Sequence, residues 1–244
     1  MFDIVLILFV LFIGSFVQGI SGFGLGLVSM GLLSIFLSVK DSTLILLTLT
    51  VILSSHVLLK LRNYIIWKDI VPLLIGSLVG RVLSFVFLLY FGDTTEMKKM
   101  LGIVLIGMVI FLMVKRHSEK VINNANHPIA PLLLGLVGGF IGGAFAVGGP
   151  FYVLYLLMRY EDKRHYHANL QTTFIFVNVF TILLHGFQGD LTKTYFIYVI
   201  VGSIIVWIGA KLGLKWFERM PIHVIQKLVY IIIILAGLNL IIFS

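Results

Sequence analysis

Two glycine-dense runs lie inside apolar sequence: Gly14 to Val28, GSFVQGISGFGLGLV, and Gly138 to Tyr152, GGFIGGAFAVGGPFY. Glycine is a poor helix former, so such a cluster is where a helix breaks. A break inside a bilayer frees N–H and C=O groups that have no water to bond. It survives only where it is buried in protein or lines a cavity. The two runs therefore restrict the chain to folds in which both breaks meet protein.

The flanking sequence demands the bilayer. Of 244 residues, 60% are hydrophobic and 11% charged, and the mean hydropathy is +1.12. A soluble domain of this length does not bury so much apolar sequence, which predicts an all-α polytopic membrane protein. The absence of cysteine excludes disulfides, thiol catalysis and thiolate metal sites. The net charge of +8 sits almost entirely between apolar spans, so membrane orientation accounts for it and no nucleic acid is expected as a partner. The N-terminus, MFDIVLILFV, has neither a basic n-region nor an A-x-A site, so it is not read as a removable signal peptide.

Along the chain, residues 3–38 are apolar around the first break. Spans follow at 42–59, 69–90 and 100–114, then the polar run 115–127. A second apolar region, 128–158, carries the second break. The charged loop RYEDKRHYH leads on to spans near 168–187, 194–214 and 222–243. A shift of 124 places Gly14 on Gly138, Gly19 on Gly143 and Gly24 on Gly148. This predicts two repeat halves, 1–117 and 128–244, joined by a cytoplasmic linker at 118–127.

Residues 3–38 would measure roughly 54 Å as one straight helix, against roughly 30 Å of hydrocarbon. Each broken segment is therefore one long broken span or a re-entrant hairpin. Eight full crossings divide the loop cations seven against ten. Two hairpins plus six crossings divide them thirteen against four, with Arg81 set aside as intramembrane. The second division is the asymmetry of cytoplasmic against outside loops. It makes each half a hairpin plus three transmembrane helices, the halves inverted repeats, and both termini outside.

The patterns GxxxQGxxGFGxGLV and GGFIGGAFAVGGP resemble the sulfite exporter TauE/SafE family, also called the toluene sulfonate uptake permease family. Its usual signature is G-x-G-G-G-x-x-x-x-P-like near the start of each half. Here GFGLG at 22–26 and AVGGP at 146–150 replace the triple glycine. The resemblance extends over the whole chain in size, duplication and span count. It implies a multi-pass protein of the bacterial or archaeal cytoplasmic membrane that moves sulfite, sulfonates or related small anions.

The residues support an anion independently. Each second half-helix would point N–H groups at its break, and a helix N-terminus attracts anions. Ser21, Gly22, Phe23 and Gly24 are thus candidate binding residues, with Val147, Gly148 and Gly149 opposite and Gln18 beside them. Pro150 suits the first turn of such a helix. The alternative is that these glycines serve only close helix packing. Arg81 lies mid-span, and all ten acidic residues lie near segment ends or in loops, so an anion would partner it; the alternative is that it bonds backbone carbonyls freed at a helix break, or snorkels. Missing intramembrane carboxylates argue against a cation carrier.

Gln171, Asn178 and His185 recur every seven residues with Thr181 between, one polar stripe; Thr48, Ser55 and His56 form a weaker counterpart. Gln171 and Asn178 are candidate substrate ligands, and His56 and His185 candidate carriers of a co-transported proton, with sodium the other coupling ion considered; the alternative, favoured for either histidine, is interhelical bonding alone. Glu161, Asp162, His165 and His167 read as a solvated loop, not a metal site. With no nucleotide motif and no HExxH or GxSxG, neither ATP-driven transport nor catalysis is expected, and no cofactor. The expected function is secondary transport by alternating access around a midplane site between the two breaks. An anion channel, or a carrier of a non-sulfur carboxylate, stays open as the alternative.

Overall fold

The computed structural model describes residues 2–91, 94–115, 129–217 and 222–243; the expected linker at 118–127 lies outside them. Within these residues the regular structure is helical: α1 (Phe2–Ser21), α2 (Leu25–Phe36), α3 (Val39–Leu61), a 3-10 turn (Arg62–Tyr64), α4 (Trp67–Phe91), α5 (Thr95–Lys115), α6 (Ala130–Phe145), α7 (Gly149–Arg159), α8 (Lys163–Gln188), α9 (Lys193–Phe217) and α10 (Ile222–Ile242). Four stretches, Val39–Tyr64, Trp67–Phe91, Lys163–Gln188 and Lys193–Lys215, are long and apolar enough to cross a membrane. The span expected near 168 begins earlier, because the Asp162 side chain accepts a bond from the Arg164 N–H and caps α8 ahead of its charged first turn.

The two breaks fall where the glycines place them, at 22–24 and 146–148, and at each the chain turns back on itself. Ser29 Oγ donates to the Val10 carbonyl at 3.2 Å, so α2 lies alongside α1 in the opposite direction. In the second segment Gly138 packs against Phe151 and Tyr152, and Gly148 against Gly142, which folds α7 along α6. Both segments are hairpins. Gly22 and Gly24 take φ of 78° and 155°, values that β-carbon sterics make costly for other residues.

Helix directions fix the plan. Lys40, at the start of α3, reaches Asp190 just beyond the end of α8 at 2.9 Å. Ser54, two-thirds along α3, bonds Gln171 near the start of α8 at 2.7 Å. The two helices are therefore antiparallel. So are α5 and α10, where Gly102 meets Gly237 and Ile241. By contrast α1 runs parallel to α9, with Gly209 against Phe12 and Gly213 against Phe16. In the same way α6 runs parallel to α4, with Gly76 against Leu132 and Gly80 against Leu136. Exchanging α1–α5 for α6–α10 swaps these last two pairs and returns the first two to themselves. Self-paired helices that run antiparallel belong to an inverted arrangement. The 124-residue offset also carries past the glycines: α2 and α7 begin at 25 and 149, α3 and α8 at 39 and 163.

Along α4 the polar residues face inward and much of the apolar surface faces outward. Val71, Ile75, Val79 and Val86 of α4 are exposed, whereas Ser77, Arg81 and Ser84 of the same helix are buried. Buried hydroxyls are largely satisfied within their own helices, as with Ser77 to Leu73 and Thr181 to Val177 carbonyls. Backbones approach closely along α4–α6 and α1–α9 because small residues line both seams.

The two tips come from opposite ends and pass each other. Gly22 lies beside His167 and the Gln171 amide in the first turns of α8. The Ala144 carbonyl, by contrast, accepts from Thr43 near the start of α3. Lys40 and Arg159 are thereby held at opposite ends of the bundle, Arg159 paired with Asp69 at 2.8 Å. Single cysteines at these two positions, in a chain with none of its own, should label with an impermeant maleimide from opposite faces of the membrane. Labelling from one face would contradict the hairpin topology.

Candidate functional site

Where the tips cross, Gly26 meets Ala146, and Phe23 lies against Gly149. A cavity of about 30 Å³ sits at this crossing. Its walls come from both hairpins (Gln18, Phe23, Gly24, Gly26, Leu27, Ala146, Val147, Gly148, Gly149, Pro150, Tyr152) and from α3, α4 and α8 (Leu47, Thr50, Arg81, Phe174, Asn178). None of these lining residues carries a carboxylate.

Arg81 is the wall's one cation and is 2% exposed. Its position follows from α4: Gly80 and Ser77 let α6 lie close, and Gly142 and Gly143 of α6 leave room for the side chain. A β-carbon on Gly142 would stand 2.9 Å from Arg81 Nη2, and one on Gly143 would collide with Ser84. Nη2 donates to Asn178 Oδ1 at 2.8 Å. Neither Nε nor Nη1 makes a hydrogen bond of good geometry among the described residues, and nor does the Tyr152 hydroxyl, which lies close enough to the guanidinium to interact with it. An unpaired buried donor on a charged group is expensive, so these atoms define the chemistry of the cavity.

The remaining polar groups are also donors. Gln18 Oε1 accepts from the Leu25 N–H at 2.9 Å, so this side chain caps α2 and leaves its NH₂ as the uncommitted end. Asn178 Oδ1 is taken by Arg81, which leaves that amide's NH₂ as well. The first backbone bond that closes α2 runs from the Val28 N–H to the Gly24 carbonyl, so the helix ladder itself supplies no partner for the Gly26 and Leu27 N–H groups. Thr50 is different: its hydroxyl proton goes to the Leu46 carbonyl. At the second tip Pro150 occupies the first turn of α7, as its fixed φ suits. Ala146 there is left-handed at φ 57°, a conformation costing about 1–2 kcal/mol for a residue with a β-carbon. The result is a small site with one positive charge and converging N–H and O–H groups.

Residues 6–240 match the sulfite exporter TauE/SafE family. The chain belongs to this family. A probable membrane transporter protein of Methanocaldococcus jannaschii is 30% identical over 179 residues, covering 67% of each chain. No solved structure matches the sequence. As a TauE/SafE family member with several apolar helices, the protein is a multi-pass membrane protein of a transporter family.

In this family member most of the residues singled out from sequence converge. Gln18, Phe23, Gly24, Arg81, Val147, Gly148, Gly149 and Asn178 all line the cavity. Gly22 does not; its carbonyl faces the Gln171 Nε2 at 3.5 Å. Gln171 likewise sits outside the wall, accepting from Ser54 and tethering the first tip. Ser21 closes α1, and its side chain lies outside the described residues. His56 is exposed on α3 and touches no part of the cavity. His165 bonds Asp162 at 3.0 Å in the loop-facing first turn of α8. His185 is buried two turns beyond Asn178, away from the cavity. Tyr152, Thr50, Phe174 and Leu47 are wall residues that sequence reasoning missed. Tyr152 had a signal, since it closes the second glycine run and stands at the return of that hairpin.

The Gly142 contact is open to test. Gly142→Ala should displace the guanidinium and cost about 1–3 kcal/mol in unfolding free energy. Gly107→Ala, where a β-carbon meets nothing within 4 Å, should be neutral or slightly stabilising. Equal thermal stability of the two variants would show that the Arg81 seat does not depend on the absent β-carbon.

Proposed function

We propose that the protein is a secondary transporter of a small oxyanion, most favourably sulfite, a sulfonate or a related organosulfur anion. The anion binds between the hairpin tips and is exposed alternately to the two faces of the membrane. The observation that carries this reading is Arg81: a buried guanidinium with two donor nitrogens outside any hydrogen bond of good geometry, facing a wall without carboxylates. An oxyanion supplies the missing charge and accepts from Nε or Nη1. Because these lie on different edges of the guanidinium, a two-bond fork takes one of them together with the Nη2 hydrogen that Asn178 does not use. The surrounding amide, phenol and backbone donors complete a shell for oxygens and offer little to a cation.

Size supports a compact ligand. A water-sized group needs roughly 10–15 Å³ on the measure that gives this cavity about 30 Å³, so two or three such groups fit. A sulfite or methanesulfonate oxygen cluster is near this limit, and an aromatic sulfonate would require the tips to separate. The two halves, 1–117 and 128–244, are read as the moving repeats, joined by the linker at 118–127. Movement of one hairpin against the other changes the wall on two sides at once.

Purified protein should be stabilised against heat by sulfite or methanesulfonate and not by the chloride salt of the same cation. Arg81→Gln should remove that stabilisation and lower anion affinity at least tenfold, since truncating one member of a buried charge pair costs about 2–5 kcal/mol. Arg81→Lys should recover only part of it, lacking the fork. Unchanged anion stabilisation in Arg81→Gln would sink the proposed site.

A further inference from the structure

A second polar cluster lies at the opposite end of the α8 stripe. His185 is wholly buried, and its Nδ1 lies 2.7 Å from Asp190 Oδ2. Asp190 Oδ1 in turn receives Lys40 Nζ at 2.9 Å. Gly189, left-handed at φ 85°, ends α8 and turns Asp190 back onto the ring. Phe85 of α4 packs edge-on against the imidazole, 4.9 Å between centroids. These groups close one side of an open vestibule of about 460 Å³, whose polar wall is Lys40, Tyr90, Thr94, His185, Gln188 and Asp190. His185 Nε2 has no hydrogen-bond partner among the described residues.

From this geometry we infer that His185 is the proton-binding site of a proton-coupled transporter, loaded from the vestibule and held by Asp190. The inference rests on the anion-transport reading of the Arg81 cavity. With the Nδ1 hydrogen committed to the carboxylate, the neutral ring carries its free lone pair on Nε2. Because Nε2 is buried, loading requires the vestibule wall to open. A hydronium ion then transfers its proton to Nε2 and leaves as water, and the Nδ1–H···Asp190 bond is kept and becomes charge-assisted. Before loading, Lys40 and Asp190 offset each other. After loading, the vestibule gains one positive charge.

That charge lies seven residues along α8 from Asn178, about 10 Å of helix from the amide that holds Arg81. At this spacing a unit charge changes anion affinity about tenfold for an effective dielectric constant of 20. Protonation therefore favours anion arrival from the vestibule side, and anion binding favours protonation in return, as linkage requires. The other ionisable groups near the ring do not replace it. On α3, Asp41 is engaged by Ser38 at 2.9 Å; on α4, Arg81 lies one turn deeper than Phe85 and Tyr90 lies at the rim; α6 carries no ionisable side chain. Asp93, in the connector after α4, lies outside the described residues.

The test uses full-length protein in proteoliposomes with radiolabelled methanesulfonate, which, unlike sulfite, does not itself titrate near neutrality. An inward proton gradient should raise accumulation at least tenfold. His185→Gln and Asp190→Asn should lose that drive while still folding, as checked by thermal unfolding, and the exposed His56→Gln should keep it. Gradient-driven accumulation that persists in folded His185→Gln overturns the inference. Should the unmodified protein move no methanesulfonate under any gradient, the Arg81 reading fails instead, and a second measurement decides the proton site by itself. In ¹⁵N-histidine spectra of anion-free protein, the signal missing from His185→Gln should titrate while the protein stays folded, and its titration should shift in Asp190→Asn. A ring that stays neutral at every pH at which the protein is folded overturns the inference.

Discussion

A guanidinium buried in a membrane-spanning bundle is the constraint on which the centre of this structure depends. Even the lowest scales put an arginine at the middle of a bilayer at about 3 kcal/mol, and the cost falls only if the group finds partners or water. Arg81 cannot snorkel, because Gly80, Ser77 and Ser84 turn its side of α4 towards α6. One donor goes to Asn178, and the rest of the fork faces the crossing of the hairpins. The glycines of α6 make this seat possible: at Gly142 and Gly143 any β-carbon would enter the space that the arginine and Ser84 fill. The second glycine run therefore has two duties, one in helix packing and one in shaping the site.

The backbone imposes the complementary condition. Each hairpin tip frees N–H and C=O groups at depth, and side chains from other elements take up several of them. Gln18 accepts the Leu25 N–H, Gln171 approaches the Gly22 carbonyl, and Thr43 donates to the Ala144 carbonyl. Part of the polar stripe is thus structural, since Gln171 bonds Ser54 and the tip without facing the cavity. Asn178, one heptad later, faces it. The stripe changes from scaffold to site along a single helix face.

Much of the fold was legible because its signals are local. Glycine clusters mark both breaks, the loop cations favour hairpins over extra crossings, and the 124-residue offset between Gly24 and Gly148 continues through the starts of α3 and α8. The site was legible where one residue broke a strong rule, as Arg81 does in an apolar span. What stayed hidden depends on pairing across long separations. No spacing in the sequence joins residue 81 to residue 178, or 40 to 190. Asp190 reads as a loop carboxylate until the left-handed Gly189 swings it onto His185. His56 shows the converse: a histidine near polar neighbours in sequence lies on the exposed side of α3, away from the cavity. Ser54, at the position 124 residues before Asn178, is the buried counterpart instead.

The symmetry of the fold is not repeated in its chemistry. Offsets of 124 to 126 bring Arg81 onto Ile205, Val206 and Trp207 of α9, and none of them is charged. The hairpins nevertheless keep equivalent partners, α1 on α9 and α6 on α4, each seam packed backbone to backbone through glycine. Such seams resist sliding, because a one-residue shift brings side chains against main chain. On the proposed alternating-access reading the first hairpin moves with α9 and the second with α4, with α3 and α8 between the two groups. Arg81 and Tyr152 belong to one group; Gln18, Gly26 and Leu27 belong to the other. On the proposed reading, an anion that bonds both groups holds the tips crossed, and its release removes the charge that keeps them together. A single cation on one side of a symmetric scaffold is sufficient for this, and a second, symmetry-related arginine would repel the first across the same small cavity.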